Sequence, residues 1–106
     1  MRRLLSAAGV TALLLVPALR SADAAVIQIK MANVAYAPAE VSAHVGDTVE
    51  WTNDDIVAHT ATARNGSWDL MIEPKSKASV TLKSPGAIEY YCRLHLNMVG
   101  SIVVTQ

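Results

Sequence analysis

The sequence predicts an all-β domain, a sandwich or barrel of short strands, on three observations. Apolar and polar residues alternate with period two in "VIQIKMAN" and again in "ASVTLK", the pattern of strands buried on one face. "AIEYYC" and "VGSIVVTQ" are rich in the β-branched and aromatic residues that suit a pleated surface. Turn formers at Gly46-Asp47, Asn65-Gly66 and Ser84-Pro85-Gly86 interrupt the chain at short intervals.

Residues 1–24, "MRRLLSAAGVTALLLVPALRSADA", are not part of that domain. Two arginines, a short apolar run and the small-x-small pattern Ala22-Asp23-Ala24 read as a secretory signal peptide cleaved after Ala24. Pro17 interrupts the run from Leu4 to Leu19, which falls short of the roughly 20 residues a membrane-spanning helix needs. An uncleaved anchor is the alternative; the expected location is the periplasm. Arg2-Arg3 alone does not separate the general from the twin-arginine export route.

Residues 25–106 are then the folded domain. "VIQIKMAN" puts Ile27, Ile29 and Met31 on one face and Gln28 and Lys30 on the other. "AEVSAHVGDTVEWTN" supplies two strands around Gly46-Asp47, and "AHTATAR" a further one ended by Asn65-Gly66. Near "SWDLMIE" a single helical turn is expected. "ASVTLK", "AIEYYC" and "VGSIVVTQ" complete the set. No repeat, linker or low-complexity segment follows residue 24.

Composition excludes several functions. The domain carries six Lys or Arg against eight Asp or Glu, scattered without a basic stripe, which sets nucleic-acid binding aside. Its 82 residues allow one domain, burying only about 60–65% of the unfolded surface, so added stapling would help. The one cysteine, Cys92, cannot form an internal disulfide, and in an exported chain it requires a partner disulfide, a reactive role or a metal.

"YYCRLHLNMVGSIVV" favours the metal. Cys92 ends a strand, Val99 begins the next, and Arg93 to Met98 are expected to form the turn between them, projecting Cys92, His95 and Met98 together. Thiolate and thioether select copper(I), imidazole suits both copper states, and two histidines with one cysteine and a weak axial methionine form an electron-transfer ligand set. His59, in "NDDIVAHT", is the candidate for the second imidazole. His44 is read as solvent-facing, Met31 and Met71 as packing residues, and Trp51 and Trp68 as core or rim aromatics.

Competing chemistries fit less well. Four protein donors leave no open position for a substrate, so an enzyme is not expected. A Cys92–His95 nucleophile pair would lack an orienting third group and an oxyanion site. Structural zinc is disfavoured because thioether binds it poorly. Delivery of copper to another protein is the serious rival, although a cysteine ending a core strand suggests retention.

With these residues in view, "YAPAEVSAHVGDTVEWTN", His59 and "YYCRLHLNMVGSIVV" resemble the cupredoxins, and within them the amicyanin and plastocyanin group. The resemblance covers nearly all of residues 25–106. It implies a Greek-key β-sandwich of about eight strands and one copper ion, with His59, Cys92 and His95 as equatorial ligands and Met98 axial. It also implies a monomer shuttling single electrons between transient redox protein partners, by analogy a periplasmic dehydrogenase and a cytochrome c. His95 would present its ring edge within an apolar patch of Leu94, Leu96 and the segment around Ala58, with Arg93 at the rim steering an acidic partner. This sequence departs from the group at three positions: Ala58 and Leu96 stand where proline is usual, and Thr60 where asparagine is usual. A backbone N–H at Thr60 can still donate to the Cys92 sulfur.

Overall fold

A computed structural model describes residues 23–106, so the expected signal segment lies almost wholly outside the described residues. Nine strands occur among the described residues: β1 (Val26–Ala32), β2 (Ala35–Ala37), β3 (Glu40–His44), β4 (Thr48–Asn53), β5 (His59–Ala63), β6 (Asp69–Ile72), β7 (Lys77–Thr81), β8 (Gly86–Cys92) and β9 (His95–Thr105). They form a four-stranded sheet in the order β2-β1-β4-β7 and a five-stranded sheet in the order β3-β9-β8-β5-β6, a β-sandwich as expected. No helix among them is long and apolar enough to cross a membrane.

The alternation read from "VIQIKMAN" puts Ile29 and Met31 in the core, with Ile27 packed against it. Val49 and Trp51 of β4, Tyr90 and Cys92 of β8 and Ile102 of β9 pack with them. The aromatic centre is tight: the Tyr90 ring lies 4.6 Å from Tyr36 and 5.3 Å from Trp51, both edge-on. Gly46-Asp47 does turn the chain, but not as a hairpin. It carries the chain from β3, which runs parallel to β9, to β4, which runs parallel to β1 in the other sheet. The buried Asp47 side chain closes this crossing by accepting the N–H groups of Ala25 at 2.9 Å and His44 at 2.8 Å.

The nine strands agree with the roughly eight expected, and the shortest, β2, arises because Asn33-Val34, both with positive φ, fold Ala35–Ala37 back on β1. Such a two-residue turn usually selects Asn or Gly at both positions, so Val34 gave no turn signal. The helical turn near "SWDLMIE" is instead strand β6, paired with β5, because a free sheet edge beside β5 outweighs weak local preference. Met71, on that edge strand, is 47% exposed and does not pack, whereas Met31 is fully buried. Arg93–Met98 is not a six-residue loop: β9 begins at His95, and only Arg93-Leu94 connect the strands.

Candidate metal centre

The sheet ladder itself fails at the point where the donors gather. β5 and β8 pair only at Ala63–Tyr90 and Thr62–Tyr91, where their ladder ends, and on the other side of β8 the pairing with β9 shifts register between Tyr91 and Cys92. Beyond it the backbone groups that a ladder would pair turn to side chains instead. Thr60 N–H donates to Cys92 Sγ at 3.3 Å, and Arg93 N–H donates to Thr60 Oγ1 at 2.8 Å. A bulge of this kind re-aims a side chain, here the Cys92 thiol, away from simple alternation.

Three donors converge as a result. His59 Nδ1 lies 3.2 Å from His95 Nδ1, and Cys92 Sγ lies 3.8 Å from the first and 3.7 Å from the second. Donors bound at about 2.0–2.3 Å to one first-row ion stand about 3.2–3.8 Å apart, so this triangle fits a single ion. His59 and Cys92 are fully buried and His95 is partly exposed, which gives the centre one wet side. Met98, the fourth expected donor, is buried in β9 in the same core cluster as Cys92. His44 is exposed as expected, and Trp51 and Trp68 are core residues.

Two residues that the sequence reading passed over orient His59. Asp55 Oδ2 lies 2.7 Å from His59 Nε2. A carboxylate only accepts, so Nε2 carries the ring proton and Nδ1 turns its lone pair toward Cys92 and His95. The N–H of Val34, then His59, and then the N–H of Asn33 hold the Asp55 carboxyl down to about 2, so it is ionised at neutral pH. The same contacts hold the left-handed backbone of Asn33 and Val34. Asn53, fully buried, shapes the connection to His59: its Nδ2 donates to the carbonyls of Val57 and Ile72, and its Oδ1 accepts the Asp55 N–H. The available signal was the Asn/Asp cluster in "TNDDIVAH", since such side chains commonly bind nearby backbone in loops.

Around His95 the surface is apolar. Leu94 and Leu96 flank it at 49% and 69% exposure, and Ile56 and Val57, in the connection leading to His59, are exposed as well. Arg93, the charge expected at the rim, is paired: its Nε lies 3.0 Å from Asp69 Oδ1.

Comparisons with known proteins agree with this geometry. The family profile described as a cupredoxin-like domain matches residues 4–104. The plastocyanin of Prochlorothrix hollandica is 37% identical over 100 residues, covering 78% of this chain and 76% of that protein. Amicyanin-alpha of Methylorubrum extorquens is 30% identical over 93 residues, covering 82% and 78%. Among solved structures, the copper(I) form of an amicyanin variant superposes with a TM-score of 0.67 at 31% identity, covering 79% of this chain and 85% of that one.

Proposed function

Because the chain belongs to the cupredoxin family, we propose that it is an exported electron carrier, passing single electrons between redox proteins through one copper ion held by His59, Cys92, His95 and Met98. Residues 1–24 direct it to the periplasm, and residues 25–106 do the work there. The observation that carries this reading is the triangle of His59, Cys92 and His95 donors, closed by an N–H···S bond from Thr60.

Copper is the cofactor that fits the donor set, since thiolate and imidazole together serve both of its oxidation states. When bound, it supplies a one-electron couple. The chain's own residues do the rest. Cys92 and His59, both fully buried, exclude water from one side of the ion. Asp55 keeps the His59 proton on Nε2 and its Nδ1 free to ligate. The β5, β8 and β9 backbones hold the donors at nearly fixed separation, which limits rearrangement on electron transfer. His95, partly exposed between Leu94 and Leu96, gives partners the shortest approach. That apolar face suits brief docking of the kind that buries less than about 1,200 Å². Deep burial of two donors also supports retention of the ion over delivery to another protein.

Copper reconstitution of the purified mature domain tests the proposal: an intense visible thiolate-to-copper band, reversibly bleached by reduction, is the expected result. A colourless copper complex would overturn it.

Asp55→Ala is expected to weaken copper binding by about 10- to 100-fold, the usual cost of losing a partner to a ligating histidine. Competition with a chromogenic chelator measures this. Met98→Leu is expected to keep the band while raising the potential, because losing a weak thioether donor would disfavour copper(II); loss of the band would make Met98 a principal ligand.

A further inference from the structure

The Cys92–Arg93 turn is tied to β5 by a closed ring of hydrogen bonds that none of the four donors enters. Arg93 N–H donates to Thr60 Oγ1 at 2.8 Å, the hydroxyls of Thr60 and Thr62 lie 2.8 Å apart, Thr62 Oγ1 donates to Asp69 Oδ1 at 2.7 Å, and Arg93 Nε returns to that same oxygen at 3.0 Å. The ring begins and ends on Arg93.

Its polarity is forced. An ionised Asp69 can only accept, so the single Thr62 hydroxyl proton is committed to it. Thr62 oxygen must then accept from the Thr60 hydroxyl, and the Thr60 oxygen is left facing the Arg93 N–H as an acceptor. Thr60 is fully buried and Thr62 is 9% exposed, so water is a poor substitute for either partner. The donations from Thr62 and Arg93 hold the Asp69 carboxyl below its ordinary range, consistent with a permanent acceptor at neutral pH. Thr60 therefore grips the turn twice, by its hydroxyl on Arg93 N–H and by its own N–H on Cys92 Sγ.

We propose that Thr62 and Asp69 are positioning residues for the Cys92 sulfur: by fixing the direction of the Thr60 hydroxyl they lock the Cys92–Arg93 turn to β5 and hold the Thr60 N–H on Sγ. Neither side chain hydrogen-bonds a donor; both act through Thr60 and Arg93. A hydrogen bond to the thiolate draws electron density from sulfur and favours the reduced ion, so loosening it favours copper(II). This inference rests on the electron-carrier reading of the site.

Thr62→Val removes the relay hydroxyl while keeping the shape. In the copper protein it is expected to shift the copper(II)/copper(I) equilibrium toward copper(II) by up to about tenfold, equivalent to a fall of about 59 mV for one electron. Thr62→Ser, which restores the hydroxyl, should return the potential to that of the parent. Thr48→Val breaks a hydroxyl pair in the opposite sheet, Thr48 Oγ1 to Thr81 Oγ1 at 3.2 Å, and should leave the potential unmoved whatever it does to melting. In the copper-free protein, amide hydrogen exchange at Arg93 should quicken several-fold in Thr62→Val and return in Thr62→Ser. Asp69→Ala, at an exposed position, is read by Arg93 exchange alone, because removing its charge moves the potential by itself; it covers the case in which Thr62→Val does not fold. Unchanged Arg93 exchange in these variants, or a Thr62→Val potential equal to the parent's, overturns the proposal. Failure of the parent to give the visible band counts against the carrier reading instead, and leaves the exchange experiment still decisive for the ring.

Discussion

Cys92→Ser is expected to abolish the visible band of the copper protein completely. The band arises from donation of thiolate electrons to copper(II), and a serine hydroxyl stays protonated at neutral pH and is a poor donor to either copper state. The substitution is a fair test of chemistry because the fold should survive it. Cys92 is fully buried at the end of β8, serine is of similar size, and the Thr60 N–H that now donates to sulfur can donate to the hydroxyl oxygen. Copper-free melting of the variant should therefore stay close to that of the parent. Copper should no longer raise it, whereas in the parent a ligand at a thousandfold excess over its Kd adds about 4 kcal/mol to stability. Absorption spectra and paired melting curves with and without copper read both effects, and an intense band surviving in Cys92→Ser would remove Cys92 from the site.

Gly100→Ala is expected to be the most damaging single-methyl change in the domain. Gly100 pairs with Tyr90 across β8 and β9, and a Cβ at residue 100 would overlap the Tyr90 ring, lying 2.5 Å from its hydroxyl and 2.8 Å from Cε1. Nothing nearby yields easily. Tyr90 is fully buried, with Tyr36 and Trp51 packed edge-on against it, so the ring cannot swing aside without moving the aromatic centre. Overpacking a rigid core costs about 1–3 kcal/mol or more, and the upper end applies here. In a domain of this size that lowers Tm by roughly 10–25 °C, at about 4–8 °C per kcal/mol. Tyr90→Phe should recover part of the loss in the double variant, because the Tyr90 hydroxyl is one of the crowding atoms and has no hydrogen-bond partner among the described residues. A Gly100→Ala protein melting with the parent would mean that β9 bends freely at this point.

The strands that carry a strong period-two pattern, β1 and β7, were legible from the chain alone, and so were β8 and β9 from their β-branched and aromatic content. β2 and β6 were not. Three residues around Tyr36 are too few to show a period, and Val34 in the turn before them is tolerated only because Asp55, 21 residues away, accepts its N–H. β6 is a strand because β5 offers it an edge, a fact about pairing that the segment itself does not contain. Met71 was misjudged for the same reason: an apolar residue packs only if its face of the strand meets the core, and β6 is the outermost strand of its sheet.

Within the centre the division is similar. The order of residues along the chain sets the chemistry on offer: a thiol, an imidazole and a thioether at equal spacing, with a second imidazole upstream, restrict the metal through softness and charge whatever the fold. It also determined that an all-β frame would surround them. It took the folded chain to separate Cys92 and His95 by a two-residue turn, to face His59 toward them across the end of a broken ladder, and to bring Asp55, Thr62 and Asp69 to the donors through His59, Thr60 and Arg93. The difference is one of range. Donor character belongs to single residues and their neighbours, whereas the direction of a lone pair or a hydroxyl proton is set by partners brought into register from distant strands.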